Sequence, residues 1–177
     1  MKIICISGKA QHGKDTTASF MKEALQKRGE RVLITHYGDL LKYICKAFFD
    51  WDGEKDEHGR QLLQYVGTDI IRTQVPDFWV SFLGVIFELF YDQWDYVLIP
   101  DARFPNEIDF MKKKAGTFHL RVIREGFSSP LTEEQMRHLS ETALDNTVPD
   151  YFIMNNGDLQ DLKTTVNTWI EEALYAE

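Results

Sequence analysis

Five short, largely apolar runs punctuate the chain, at residues 3–6, 32–35, 96–99, 118–123 and 151–154. Runs of this length are too short for helices, and their near-continuous apolarity marks strands covered on both faces. Between them the apolar positions fall at helical spacing. In residues 15–28, Phe20, Met21, Ala24 and Leu25 form one stripe, and Gly29 follows as a C-terminal stop. Residues 40–92 read as two or three helices, broken at 56–59 and at Val75-Pro76-Asp77. Residues 105–114 form another, with Pro105 early in the first turn, where its missing N–H costs little. The last helix starts at Leu159 behind an N-cap at Asp158 and puts Leu162, Val166, Trp169, Ile170 and Leu174 on one side.

Strands alternating with helices predict an α/β three-layer sandwich, a five-stranded parallel sheet with helices on both faces and ligands at the carboxyl ends of its strands. No repeat, low-complexity tract or linker interrupts it, so one domain is expected over residues 1–177. Residues of about 1–37, 94–124 and 150–177 build the core. A long helical insertion, about 38–93, and a strand-poor excursion, about 125–149, are not needed for the sheet. Such excursions at a ligand edge often become substrate arms and lids.

Composition sets limits on function. A chain of 177 residues, 44% of them hydrophobic, has enough core to fold without staples. Cys5 and Cys45 lie far apart without metal-type spacing and read as small buried hydrophobes of a reducing compartment. The longest apolar stretch, 82–90, is interrupted by Gly84 and Glu88 and is too short to span a bilayer. The N-terminus runs directly into the first strand, leaving no room for a signal peptide. A cytoplasmic protein without a membrane partner is expected. A formal charge of −8 argues against a nucleic-acid partner, whereas a small anion needs only a local basic pocket. The acidic run 50–57 has its glycine in fourth position, where an EF-hand loop needs it sixth, and reads as a solvated loop.

Directly behind the first strand stands Gly8-Lys9-Ala10-Gln11-His12-Gly13-Lys14. A G-x-x-x-x-G-K segment passing straight into a helix points backbone N–H groups and a helix N-terminus at one spot, which suits a polyphosphate. Gly8, Ala10, Gln11, His12, Gly13, Lys14, Asp15, Thr16 and Thr17 are the candidate contacts to ATP, with Lys14 reaching the β- and γ-phosphates. His12 lends a backbone amide rather than a catalytic base. Asp15 stands where the usual pattern has a Ser or Thr on Mg²⁺. A carboxylate holds the metal directly or through water, while Thr16 or Thr17 offers a hydroxyl from the first turn.

The third strand delivers Asp101-Ala102-Arg103 just beyond the sheet edge. Asp101 either orients Mg²⁺ and its waters or caps the next helix. Arg103 either forks onto a phosphate or carboxylate or pairs with Glu107. Arg124, at the end of the fourth strand, and Arg137, in the excursion, are candidates to neutralise a transferring phosphoryl group, with a solvated surface as the plainer alternative. Within the insertion, Arg60 and Arg72 are punctuated by Leu62, Leu63, Tyr65, Ile70 and Ile71, so a helix with an apolar back brings one or both guanidiniums to its polar front. Arg72 is the stronger candidate for an acceptor phosphate. Phe78 and Trp79 either stack on a base or belong to the core.

Taken together, Gly13-Lys14-Asp15-Thr16-Thr17, Arg60-Gln61-Leu62-Leu63-Gln64 with Gly67-Thr68-Asp69 and Arg72, Asp101 to Glu107, Ser140-Glu141-Thr142-Ala143-Leu144-Asp145, and Asp150-Tyr151 leading to Asn155-Asn156-Gly157 resemble the phage-type deoxynucleoside monophosphate kinases. This is a family of P-loop nucleotide kinases. The similarity spans most of the chain. The Arg-Phe-Pro-Asn-Glu and Ser-Glu-Thr-Ala-Leu-Asp segments are its more specific parts, and an Asp after the P-loop lysine also occurs in that group. The resemblance implies a P-loop kinase core with a helical monophosphate-binding arm and a short lid. It further implies transfer of a phosphoryl group from ATP, with Mg²⁺, to a (deoxy)nucleoside monophosphate. Lys14, Asp101, Arg103, Arg124 and Arg137 would then serve catalysis, Asp39, Arg60, Gln64, Arg72, Trp79 and Arg103 the acceptor, and Asp15, Thr16 and Asp101 the metal. Small-molecule nucleotides are the implied partners, and a homodimer stays open. Ser140, Glu141 and Asp145 fall near the substrate or lid by resemblance, yet their local chemistry equally makes a helix cap followed by a buried Leu144.

Two other functions fit the same residues. One is a kinase acting on a hydroxyl or a non-nucleotide phosphate, with Asp39 or Asp101 as base or positioning group. The other is a nucleotide-binding switch or GTPase. Against the latter, the chain lacks an N-K-x-D guanine signature, and its D-x-x-G segments, at residues 50–53 and 56–59, lie in and beside the acidic loop rather than at a strand end.

Overall fold

The computed structural model describes residues 1–129 and 131–175; Pro130 of the excursion and residues 176–177 of the carboxyl-terminal core segment lie outside the described residues. Strands β1 (Lys2–Ser7), β2 (Val32–Ile34), β3 (Tyr96–Ile99), β4 (Gly116–Ile123) and β5 (Tyr151–Met154) pair in parallel in the order β2-β3-β1-β4-β5. The expected α/β sandwich with its five-stranded parallel sheet is therefore the fold. Strand β4 begins two residues before its apolar run, because Gly116 and Thr117 pair with Lys2 and Ile3 while the Thr117 hydroxyl donates to Met111 O at 2.9 Å.

Helix α1 (Lys14–Lys27) follows β1, and α8 (Leu159–Leu174) packs beside it on one face of the sheet. Helices α4 (Phe78–Leu89) and α5 (Pro105–Lys114) cover the other. The period-two alternation of β1 sorts its side chains between these layers. Ile4 and Ile6 join Met21, Leu25, Val166 and Ile170, while Ile3 and Cys5 join Val80, Leu83, Ile108 and Met111. All four of these β1 side chains are fully buried, which for each of the three isoleucines is worth about 1.5–3 kcal/mol. The α8 cap forms as expected: Asp158 accepts from Gln160 N and Asp161 N, and Asp161 accepts in return from Asp158 N.

The insertion holds α2 (Gly38–Phe48), α3 (Glu57–Gln64), a π-helical segment (Tyr65–Arg72) and α4. Two details depart from the apolar pattern. The break expected at 56–59 is a helix start, since Asp56 caps α3 by accepting from Gly59 N at 2.7 Å. The stretch after Gln64 widens into a π-helix in which Val66, Gly67 and Thr68 are all buried. Gly67 makes this packing feasible: a Cβ there would lie 2.6 Å from Leu41 Cδ2, and its carbonyl accepts from Trp79 Nε1 at 3.1 Å. The excursion between β4 and β5 carries only the short helices α6 (Glu133–Arg137) and α7 (Leu139–Thr142) among the described residues.

One buried polar pair gives the sheet a pH dependence. His119 of β4 is 1% exposed; its Nε2 lies 2.8 Å from Ser7 Oγ, and its Nδ1 has no partner among the described residues. Burial, with the Arg121 charge adding to it, pushes the imidazole down to about 4. The unfolded chain, with an ordinary histidine near 6.5, binds a proton there first. Stability contributed by neutral His119 is thus full above about 6.5 and is lost as pH falls toward 4. Thermal melts between pH 7.5 and 4.5 are expected to show a smaller fall in Tm for His119→Gln than for the unmodified chain.

Candidate functional site

Chain direction makes a crevice at β1. The connection from β1 leads toward β2 on one side, and that from β3 crosses to β4 on the other, which opens a ligand site at the carboxyl ends of these strands. The glycines of the loop there are steric requirements. Gly8 has φ +146°, and a Cβ would sit 2.5 Å from Val122 O; Gly13 has φ +98°, and a Cβ would sit 2.5 Å from Asn155 Nδ2. Asn155 Nδ2 donates to His12 O at 2.9 Å and so braces the loop from β5. Lys14 opens α1 and curls over the loop, donating to Gly8 O at 2.7 Å and Lys9 O at 2.8 Å. Burial, with help from the neighbouring Arg103 charge, pushes its ammonium down to about 8. A cation held this way at a helix N-terminus is strongly disposed to receive an anion.

The end of β3 faces this loop. Asp101 accepts from Tyr37 N and Gly38 N at 2.9 Å each, so it caps the amino end of α2 in the insertion rather than α5. Arg103 does not pair with Glu107 through its side chain. Its guanidinium donates to the Glu141 carboxylate and, at 3.2 Å, to Ser140 O, while its backbone N–H donates to Glu107 Oε2 at 2.7 Å. Lys9 of the loop reaches the same segment, donating to Glu141 O and to Asp145 Oδ1, both at 2.5 Å. The Ser140–Asp145 stretch is thus a clasp that ties the excursion to both the loop and the end of β3.

A cleft of about 420 Å³ separates this wall from the insertion. It gathers Ala10, Gln11, Lys14, Asp15, Asp101 and Arg103 from the core and Arg60, Gln64, Arg72 and Trp79 from the insertion. Arg72, expected to point at an acceptor, is instead mostly spoken for. It donates to Glu107 Oε1 at 2.5 Å and Asn106 Oδ1 at 3.1 Å and stacks 3.8 Å from the Phe104 ring centroid. Trp79 is 4% exposed and belongs to the core, with one edge on the cleft.

Several expected site residues lie elsewhere. Thr17 is fully buried beneath the loop and presents no hydroxyl to the cleft. Asp39 accepts from His36 N at 3.1 Å and Lys42 Nζ at 2.8 Å, which commits it to the first turn of α2. Arg124 lies over the Phe127 ring, 4.6 Å from its centroid, beside His12 on the outer side of the loop. Arg137 is exposed and pairs with Glu133 one turn away at 3.0 Å. Other cleft residues were not singled out beforehand, His36 and Lys55 among them. His36 Nε2 lies 3.0 Å from Asp15 Oδ1, a contact that raises the imidazole and lowers the carboxyl from their ordinary values. Lys55 enters from the acidic run 50–57.

Among the described residues no group of three or more His, Cys, Asp or Glu side chains converges to hold a metal. Asp15, with its side chain 81% exposed beside the loop, is the carboxylate open to one, with Thr16 half-buried next to it. That sparse donor set fits Mg²⁺, which keeps waters and takes one or two carboxylates plus substrate phosphates.

A parallel sheet, a lysine-bearing phosphate loop at its switch point and an opposed helical insertion define a P-loop kinase. Over residues 34–166 the chain matches the model of the deoxynucleotide monophosphate kinase family, and it belongs to that family. It is 26% identical, over 98% of both chains, to a protein of Acanthamoeba polyphaga mimivirus provisionally named a deoxynucleotide monophosphate kinase. It is 28% identical over 63% of its length to the deoxynucleotide monophosphate kinase of Enterobacteria phage T4, of whose length it spans 45%. Among solved structures, shikimate kinase from Aquifex aeolicus superposes with a TM-score of 0.54 at 13% identity, over 99% of this chain and 100% of that one, which speaks for the fold alone. No helix among the described residues is long and apolar enough to cross a membrane.

Proposed function

We propose that this chain moves the γ-phosphoryl group of ATP to a (deoxy)nucleoside 5′-monophosphate, yielding ADP and the diphosphate, in the cytoplasm where nucleotide pools lie. The observation that carries this reading is the single cleft with Lys14 and the α1 N-terminus on one wall and Arg60 and Gln64 of the insertion on the other. The core then binds the donor, the insertion (about 38–93) acts as the acceptor arm, and the excursion (about 125–149) acts as a short lid.

In the reaction an acceptor phosphate oxygen bonds to the γ-phosphorus while the bond from that phosphorus to the β–γ bridging oxygen breaks, and the electron pair leaves with ADP. A monophosphate has a second pKa of about 6 and is already ionised near neutrality, so no general base is needed. Positioning and charge neutralisation remain. Loop amides and Lys14 hold the β- and γ-phosphates, Arg103 faces the moving group, and Arg60 meets the acceptor phosphate. Gln64 offers an amide to the base. Arg137 joins them only when the lid closes. Asp15 and Thr16 would hold Mg²⁺, which supplies positive charge to the donor's phosphate oxygens when bound with it.

Incubating the protein with Mg·ATP and a panel of nucleoside monophosphates, nucleosides and small phosphorylated metabolites, followed by chromatography, tests this. Diphosphate formed from at least one deoxynucleoside monophosphate, faster than ATP is hydrolysed without acceptor, is expected. Phosphorylation confined to nucleosides or to metabolites overturns it.

A further inference from the structure

The cations facing the cleft differ in what already holds them. Lys14 is on two loop carbonyls, Lys42 on Asp39, Arg72 on Glu107 and Arg103 on Glu141. Lys55 and Arg60, which line the same cleft, make no ion pair or side-chain hydrogen bond with any described residue. Arg60 belongs to the acceptor site already proposed. Lys55 was expected in a solvated loop.

That loop is built rather than slack. Asp50 takes φ +50° and Gly53 φ +101°, conformations that turn the chain sharply. Trp51 is buried in a cluster with Cys45 and Val66, and its Nε1 donates to Glu54 O at 2.9 Å. Glu54 N donates to Asp52 Oδ1 at 2.8 Å, and Asp56 caps α3 immediately afterwards. Gly59 completes the fit, since a Cβ there would lie 2.0 Å from Glu54 O. A solvated connector requires none of these constraints. Their common effect is to hold Lys55 at one place, at the entrance to α3 and over the cleft that Arg60 also faces.

We propose that Lys55 is a catalytic residue, its ammonium contacting the acceptor phosphate and the moving phosphoryl group between Arg60 and the P-loop. The proposal rests on the kinase reading above and adds a residue to it. Two phosphate groups must approach one another for transfer, and a compact cation held between them offsets their repulsion at the moment charge builds up. Burial, with Lys42, Arg60 and Arg103 adding to it, holds this ammonium below its ordinary value against the opposing pull of Asp15. Positive groups therefore crowd here, and an anion relieves them.

The test compares Lys55→Ala, Lys55→Arg and, as a surface control, Lys113→Ala. With saturating Mg·ATP, Lys55→Ala is expected to lower kcat/KM for the acceptor about 100-fold, with a fall in kcat itself, unchanged ATP affinity and an unchanged melting temperature. Lys55→Arg, which keeps the charge, recovers most of the loss, and Lys113→Ala matches the unmodified enzyme. A second readout does not depend on turnover. In a Lys14→Ala background, which removes the loop's own hold on an anion, adding Lys55→Ala is expected to weaken inorganic phosphate binding several-fold by calorimetry. If no nucleotide acceptor is phosphorylated yet phosphate binding weakens, the kinase reading fails and Lys55 stands as an anion-binding residue. If transfer proceeds and Lys55→Ala stays within twofold of the parent in both readouts, Lys55 has no such role.

Discussion

Lys14→Ala is expected to lower kcat/KM for phosphoryl transfer on the order of 100- to 1000-fold while leaving the fold intact. The magnitude is that of removing one preorganised donor from a developing charge. The fold survives because the ammonium bonds only to Gly8 O and Lys9 O, carbonyls of the loop it serves, and holds no carboxylate of the core. The same lysine makes donor binding depend on pH. In the free protein its ammonium titrates near 8, and a triphosphate favours the charged form. As pH rises through about 8, the free enzyme loses the charge that ATP needs, so affinity falls and binding takes up a proton. Calorimetry at pH 8.5 in buffers of different ionisation enthalpy measures that proton directly, and Lys14→Ala abolishes the uptake.

Arg72→Ala is expected to cost about 3–5 kcal/mol of stability, since it strips the cation from a carboxylate inside the protein. Glu107 is 2% exposed, and burial already outweighs Arg72 and the Arg103 and Phe104 amides enough to push its carboxyl up to about 7. Stability contributed by protonated Glu107 is full below the ordinary value near 4.5 and is lost as pH rises through about 7. Without Arg72 that loss extends to higher pH. The variant's melting temperature is expected to drop by roughly 10 °C at neutral pH and to recover partly on acidification. Adding Glu107→Gln restores much of it. If Arg72 instead gripped the acceptor, Arg72→Ala would raise the acceptor KM and leave the melting curve nearly unchanged.

That contrast shows where the amino-acid sequence speaks plainly and where it does not. The central strands were legible because both faces of the sheet are covered there, so Ile3 to Ile6 is apolar throughout; β5, at the edge, is apolar too, yet buries only Ile153 and leaves Tyr151, Phe152 and Met154 exposed. The loop was legible because Gly8 and Gly13 meet steric limits set by Val122 and Asn155, and only glycine satisfies them. Side-chain destinations were less so. Arg72 and Arg60 carry the same chemistry and line the same cleft, yet Arg72, at the end of the π-helical segment, is tied to Glu107, while Arg60, in α3 before it, has no such partner among the described residues. Periodicity at 3.6 residues contains no signal for that change of pitch. Lys55 was hidden by its acidic neighbours, which suggested solvent, although Trp51 beside it was a sign that the loop has an anchored side. The roles of Glu141 and Asp145 depend on Arg103 and Lys9, more than thirty and more than a hundred residues away, and no local pattern announces such pairs.

The most direct measurement follows a labelled γ-phosphoryl group from ATP in the presence of Mg²⁺ and each deoxynucleoside monophosphate. Label recovered in the β-position of a nucleoside diphosphate, at a rate that rises with acceptor and is lost in Lys14→Ala, is the predicted result. Label released only as inorganic phosphate, at a rate indifferent to acceptor and to Lys14, would contradict it.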